Sequence, residues 1–371
     1  MNNNLYLVYP ESAESGTLET LPDTVGMELM QERQFVENYK NLPNAEKICV
    51  TSEATLESIL KRLSDQTKKS AIQAMKNKHL FRELLQEEYP SLGYQQIKFD
   101  EISQLQIAGK KVLKPVKGCF GTAVKIIDEH SDLPQMAKEI KEEIGKNASV
   151  LSESVLSQSE FILEDFIVGE EYAVDMFYDA DGNPHIVNIY YHPLPKHEEY
   201  LHMIYYMSKA VFEKIYPRAI AFFKKLGDKL PLKNIVLHSE FKLDQELVPI
   251  EINAMRFGGM GLGNMIYHSL NINPYQYFIE GRSPDWDTIW AQYPQHNFVY
   301  FIAYNGTQID KTTQQPNLNK LESEFTNILN RTLFDYQKQL AFGAYILEES
   351  TENISKLLQI DFNEYFSVLT N

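Results

Sequence analysis

The chain has 371 residues, 43% hydrophobic and 23% charged, a balance that excludes a disordered or fibrous protein and suffices for two or three packed units. Its formal net charge of −16 repels nucleic acid and anionic membranes, so any phosphate site has to be a local basic pocket. The two cysteines, Cys49 and Cys119, lack CxxC spacing and argue against a disulfide framework or zinc site, while MNNNLYLVYP lacks the basic flank and long apolar run of a targeting segment, which makes the cytoplasm the expected compartment.

In chain order, the apolar run at 5–9 predicts a strand, 24–39 a helix, KICVT at 47–51 a second strand and 54–64 a helix. Together they make a small α/β unit over residues 1–70, ending in the polar stretch DQTKKS. An amphipathic helix is expected from Ala71 to Glu88, stopped by Pro90. From 94 to 178 the pattern is β-rich around one charged helix at 132–146, which predicts a small antiparallel lobe. A strand at 185–191, a polar aromatic loop, a long helix at 208–230 and a hairpin at 235–253 follow. After Pro284, the segments FVYFIAYN, NLNKLESEFTNIL, AFGAYILEES and TENISKLLQIDFNEYF read as strand, helix, strand and helix of a separate α+β unit, 285–371. The sequence shows no repeat of fixed period and no low-complexity tract.

The hairpin carries the first chemical signal. In VLHSEFKLDQELVPIEIN, alternation puts His238, Glu240 and Lys242 on one face, and Glu251 and Asn253 opposite the apolar Val248, Ile250 and Ile252. With DQEL as a four-residue loop, Glu240 stands across from Glu251 and His238 across from Asn253. Two facing carboxylates destabilise a hairpin unless a cation lies between them, and oxygen donors without thiolates suit magnesium; a solvated face of an edge hairpin is the alternative. The second signal is KVLKPVKGCFGTAVKIID, a strand, a glycine turn and a strand. Gly118 and Gly121 let backbone N–H groups approach a phosphate and Lys114 supplies charge, although neither a P-loop nor a dinucleotide fingerprint is present.

Lys114 with its glycine turn, then ILEDFIVGEEYAVD, then HSEF and PIEIN, in that order and spacing, resemble the ATP-grasp superfamily, and within it the L-amino acid ligase branch of carboxylate-amine ligases. The resemblance implies an ATP-grasp fold of mixed α/β and α+β class: an N-terminal α/β domain at 1–70, a two-lobed ATP-binding core at 71–284 and a small C-terminal α+β domain at 285–371. Within the core, the small lobe is expected at about 94–178 and the large lobe at about 179–284.

It also implies roles. Lys114 and Lys78 would contact the nucleotide phosphates, and Gly118, Gly121 and Thr122 would form a flap over them. The hinge Asp165, Phe166 and Ile167 would read adenine beside Glu164, with Glu171 on the ribose. Glu240, Glu251 and Asn253 would hold magnesium, expected as two ions, while Lys114, His238 and Arg256 would be the catalytic groups. Met255, placed between Ala254 and Arg256, departs from the family motif and puts the reach of Arg256 in question; Asp175 and Asp181 are assigned to strand and turn structure.

The function so implied is ATP- and magnesium-dependent joining of a small carboxylate to an amine through an acyl phosphate. Neither nucleic acid nor membrane is an expected partner, and a homodimer is compatible with the reading. A small-molecule kinase and a non-catalytic nucleotide-binding module are the alternatives.

Overall fold

The computed structural model describes residues 5–11, 24–41, 46–118, 121–147, 156–194 and 203–369. The apolar strand Leu5–Tyr9 lies at the centre of a three-stranded parallel sheet between Met27–Gln31 and Lys47–Val50. The helix expected at 24–39 is corrected: its first half is the strand Met27–Gln31 and only Glu32–Asn38 is α-helical. Pairing along the whole of Leu5–Tyr9 overrides the helical preference of Met, Glu and Leu.

The single helix expected over 71–88 is two helices, Gln66–Lys76 and Lys78–Leu84. Asn77 leaves helical geometry (φ −86°, ψ 108°), and its side chain accepts from the N–H groups of His79 and Leu80, capping the second helix. Lys76 and Lys78 flank this break and are both buried.

Strands Tyr94–Lys98, Glu160–Asp165, Lys111–Pro115 and Lys125–Ile127, in that order, make an antiparallel sheet. Ile140 and Ile144 of the helix Leu133–Asn147 pack on Leu113, Phe161 and Leu163 of that sheet. This small lobe ends at Asp165. Strand Glu170–Tyr178, expected within it, pairs along its whole length with Ile235–Leu243 and belongs to the large sheet.

That sheet has eight antiparallel strands in the order Leu247–Ala254, Ile235–Leu243, Glu170–Tyr178, Pro184–His192, Ile204–Met207, Phe298–Tyr304, Ala341–Glu348 and Asn327–Leu333. Its central strands are buried on both faces. Phe212, Ile215 and Phe223 of the helix Lys209–Lys229 pack with Met176, Tyr178 and Leu237 on one side, while Leu5, Leu7 and Cys49 meet Phe177, Val187 and Val236 on the other.

The C-terminal segment is therefore no detached unit: three of its strands extend the central sheet. Within it, Asn327–Leu333 is a strand where a helix over 317–329 was expected, because it pairs with Ala341–Glu348; helix remains only at Leu318–Glu322. The last α-helix stops at Leu357, and Phe362–Tyr365 is a 3-10 turn.

Candidate functional site

The hairpin brings Glu240 opposite Glu251 and His238 opposite Asn253, as alternation predicts, but by a different route. Leu243 pairs with Leu247 around a three-residue turn, and Ile250 is an extra residue that restores the register beyond Phe241 and Pro249. The expected apolar face of Val248, Ile250 and Ile252 is accordingly replaced by Leu247 and Pro249 before the bulge and Ile252 and Ala254 after it.

Burial and the facing Glu251 push the Glu240 carboxyl well above the usual carboxylate range. For Glu251, burial opposes ionisation, but the Lys78 ammonium 3.0 Å away and Lys76 beyond it overcome that and hold it low. Glu240 and Glu251 retain 21% and 17% side-chain exposure, enough to meet an entering ligand. Asn253 adds an amide which, turned so that its nitrogen faces acceptors and its oxygen a donor, donates to Glu53 Oε1 at 2.6 Å and Glu251 Oε1 at 3.1 Å and accepts from Arg256 Nη2 at 3.2 Å. Among the described residues no group of three or more His, Cys, Asp or Glu side chains could by itself hold a metal ion. Two carboxylates and an amide oxygen could instead serve a magnesium ion that took its remaining oxygens from phosphates and water.

Around these ligands lies a set of cations. Lys76 and Lys78 both donate to the carbonyl of Gly118, at 3.3 and 3.5 Å, which ties the glycine turn to the helix break. Gly121 has φ +67°, Thr122 is half-buried, and Cys119 and Phe120 of the expected flap lie outside the described residues.

Lys114 and Arg82 converge on Glu164, Arg82 Nε at 2.8 Å; Arg82 Nη1 also reaches the carbonyl of Pro249 at 2.6 Å, joining the small lobe to the hairpin. Burial opposes ionisation of Glu164, but the two cations hold it at about 2. Burial lowers the Lys114 ammonium, opposed by Glu164.

At the hinge, Asp165 pairs with Lys111 and accepts from the Gly93 N–H at 2.7 Å, and the Lys110 ammonium lies 4.1 Å from the Phe166 ring centre. The N–H groups of Asp165 and Phe166 are taken by the carbonyls of Gly93 and Lys110, so of the three hinge residues Ile167 is the one without a backbone partner among the described residues. Gly169 has φ +134°, and a Cβ there would lie 2.5 Å from the carbonyl oxygen of Leu243; only glycine lets the hinge pass so close to the hairpin. Glu171 is buried between His192 Nδ1 at 2.7 Å and Lys242 Nζ at 2.9 Å. It lines a cavity of about 500 Å³ together with Val168, Tyr191, His192 and Leu243.

On the other side of the Glu240–Glu251 pair, His238 Nδ1 lies 2.7 Å from Asp175 Oδ1 and its Nε2 lies 3.8 Å from Glu240. Asp175 also accepts from the Tyr190 hydroxyl and the Gly258 N–H, at 2.7 and 2.9 Å. Asp175, assigned from sequence to strand structure alone, thus orients His238; a single acid within the apolar run YAVDMFY was the available signal. Asp181 does lie in a turn, its N–H donating to Asp179.

Met255 takes φ +68°, donates to the carbonyl of Val236 and accepts from the N–H of Val50, both at 2.8 Å. This left-handed residue absorbs the extra position before Arg256 and turns the guanidinium toward Glu53, which Arg256 Nη2 meets at 2.9 Å and Nε at 3.3 Å. Lys76 pairs with the other oxygen of Glu53. Burial disfavours the Glu53 carboxylate, yet Lys76 and Arg256 hold it at about 2. Sequence reasoning missed Glu53, Lys76, Arg82 and His192, whose roles depend on contacts from 21 to 203 positions away.

Residues 108–264 match the family profile of the ATP-grasp domain. No curated protein sequence matches. Among solved structures, L-amino acid ligase from Bacillus licheniformis superposes with a TM-score of 0.66 at 14% identity, over 100% of this chain and 99% of that one. N5-carboxyaminoimidazole ribonucleotide synthetase from Thermotoga maritima gives 0.61 at 12%, over 99% and 100%. The biotin carboxylase domain dimer of 2-oxoglutarate carboxylase from Hydrogenobacter thermophilus, in complex with MgADP, ADP and bicarbonate, gives 0.61 at 12%, over 99% and 85%. No helix among the described residues is long and apolar enough to cross a membrane. Residues 108–264 thus carry the profile of an ATP-grasp domain, and the fold of the whole chain is similar to that of these solved structures.

Proposed function

We propose that the protein is an ATP- and magnesium-dependent ligase of the cytoplasm that activates a small carboxylate as an acyl phosphate and joins it to an amine or similar nucleophile. The observation that carries this reading is the Glu240–Glu251 pair with Asn253: an oxygen-donor set short of positive charge, next to Lys78 and the glycine turn. Bound there, magnesium would neutralise phosphate charge and so favour phosphoryl transfer.

The chain's own groups divide the remaining work. Lys78, Lys114, Gly118, Gly121 and Thr122 are proposed to bind the phosphates, which requires Lys114 to exchange part of its contact with Glu164 for the nucleotide. The hinge at Asp165, Phe166 and Ile167, Glu171 and the cavity beside it are proposed for the nucleoside. His238, held through Nδ1 by Asp175, presents Nε2 toward the metal ligands and is proposed to orient the reacting groups. Arg256 is proposed as the substrate-side cation, although its present partners are Glu53 and Asn253. The likeness in fold to an L-amino acid ligase, a carboxyaminoimidazole ribonucleotide synthetase and a biotin carboxylase domain supports the class of reaction rather than the substrates.

The test is a screen of small carboxylates and amines with MgATP, read as ADP and phosphate release. Release that needs both substrates, with carboxylate oxygen-18 appearing in the phosphate, is expected. A stable phosphorylated product would make the protein a kinase, and AMP with pyrophosphate would overturn the acyl-phosphate route.

A further inference from the structure

Arg82 stands one helical turn beyond Lys78 in the helix Lys78–Leu84 and is 3% exposed. Its guanidinium is shared between the two lobes. In the small lobe Nε donates to Glu164 Oε2 at 2.8 Å, and on the hairpin that carries Glu240 and Glu251 Nη1 donates to the Pro249 carbonyl at 2.6 Å. The third nitrogen, Nη2, is buried too and has no hydrogen-bond partner among the described residues.

A buried N–H left unpaired is costly, and the shape of the side chain accounts for this one. In a planar guanidinium the Nε–H and one N–H of Nη2 point to the same side, as two prongs able to grip both oxygens of a carboxylate. Nε already holds Oε2 of Glu164, so Nη2 is the second prong on the side of that carboxylate. The other oxygen, Oε1, is taken by the Lys114 ammonium. The proposed function asks Lys114 to exchange this contact for a nucleotide phosphate. Glu164 is 3% exposed, and a buried carboxylate stripped of a partner is strongly unfavourable, so the exchange opposes phosphate binding unless another donor takes the vacated oxygen.

We propose that Arg82 is a positioning residue for the nucleotide: as Lys114 turns from Glu164 to the phosphates, the spare N–H of Arg82 Nη2 closes on the vacated oxygen, making a bidentate pair that keeps Glu164 satisfied and leaves Lys114 to the phosphates. The inference rests on the assignment of Lys114 to the phosphates in the proposed function. A hydrogen bond to a charged group is worth about 10- to 100-fold in affinity, which sets the size of the expected effect.

The test is calorimetric binding of ATP with magnesium, and of adenosine, to the unaltered protein, Arg82→Lys, Lys114→Ala and the double variant. Arg82→Lys keeps the charge and loses the fork. It should weaken ATP by about tenfold or more and leave adenosine, which needs no release of Lys114, within about twofold. With Lys114→Ala there is no lysine to release, so adding Arg82→Lys should change ATP affinity by less than about threefold. Unchanged ATP affinity in Arg82→Lys, parallel loss of adenosine, or the same loss with and without Lys114 would overturn the proposal. Unchanged ATP affinity in Lys114→Ala would instead overturn the phosphate assignment beneath it. A crystal structure of the unaltered protein with magnesium and ADP decides the matter without a variant that has to fold. Nε and Nη2 of Arg82 should both lie on Glu164, with Lys114 on a phosphate oxygen. Nη2 still unpaired, or itself on a phosphate, would overturn the proposal, and Lys114 still on Glu164 would overturn the assignment beneath it.

Discussion

Two buried glutamate settings, one in each lobe, are built from the same residue type with opposite results. Glu164 of the small lobe is 3% exposed and faces two cations, Lys114 and Arg82, which hold it ionised down to about pH 2. Glu240 of the hairpin, with 21% side-chain exposure, faces another glutamate, and burial together with that neighbour raises its proton affinity. The first is electrostatically complete within the protein and works as a structural tie between strands and hinge. The second is incomplete, and under the proposed function a cation entering with a nucleotide would complete it.

The largest expected effect breaks the complete setting. Glu164→Gln leaves Lys114 and Arg82 buried without their anion and should destabilise the protein by about 3–5 kcal/mol in chemical denaturation. A loss under about 1 kcal/mol would mean that solvent reaches the pair.

Acid reads out the same setting. A carboxyl held at about 2, against 4.5 when unfolded, contributes stability that is present above pH 4.5 and lost as pH falls toward 2. For Glu164 this amounts to about 3 kcal/mol, and Glu53 acts with the same sign. Denaturation curves between pH 5 and 2 should show this loss, and its Glu164 share should vanish in Glu164→Gln.

The incomplete setting gives a smaller effect of opposite sign. Glu240 binds its proton more tightly folded than unfolded, so its contribution is favourable at low pH and lost as pH rises. Glu240→Gln should therefore stabilise the ligand-free protein at pH 8, by about 1 kcal/mol, the scale of a like-charge cross-strand pair. Glu251→Gln should not, because it also strips Lys78 of its partner. Equal gains in the two variants would show that the Lys78 contact adds nothing.

These contrasts mark what the sequence made legible. Alternation along the hairpin placed Glu240 against Glu251, and the ordered motifs pointed to the ATP-grasp fold, because those signals are local. The turn length and the bulge at Ile250 escaped, since two one-residue shifts cancel in the pairing and leave no trace in the pattern. Strand Met27–Gln31 and the start of the C-terminal strand Asn327–Leu333 were read as helix because partners distant in the fold, not propensity, decide them. Glu53 could not be found at all: it takes its role only where a left-handed Met255 turns Arg256 back onto the N-terminal sheet.

The central claim is that the hairpin carboxylates lack a cation which magnesium supplies together with nucleotide. The direct measurement is the unfolding free energy with ATP at 100 times its dissociation constant, with magnesium and with chelator, in the unaltered protein and in Glu251→Gln. The account predicts a gain of about 2.7 kcal/mol with magnesium, a far smaller gain at the same ATP concentration in chelator, and loss of the magnesium-dependent part in Glu251→Gln. An equal gain in chelator, or a full magnesium-dependent gain in Glu251→Gln, would contradict it.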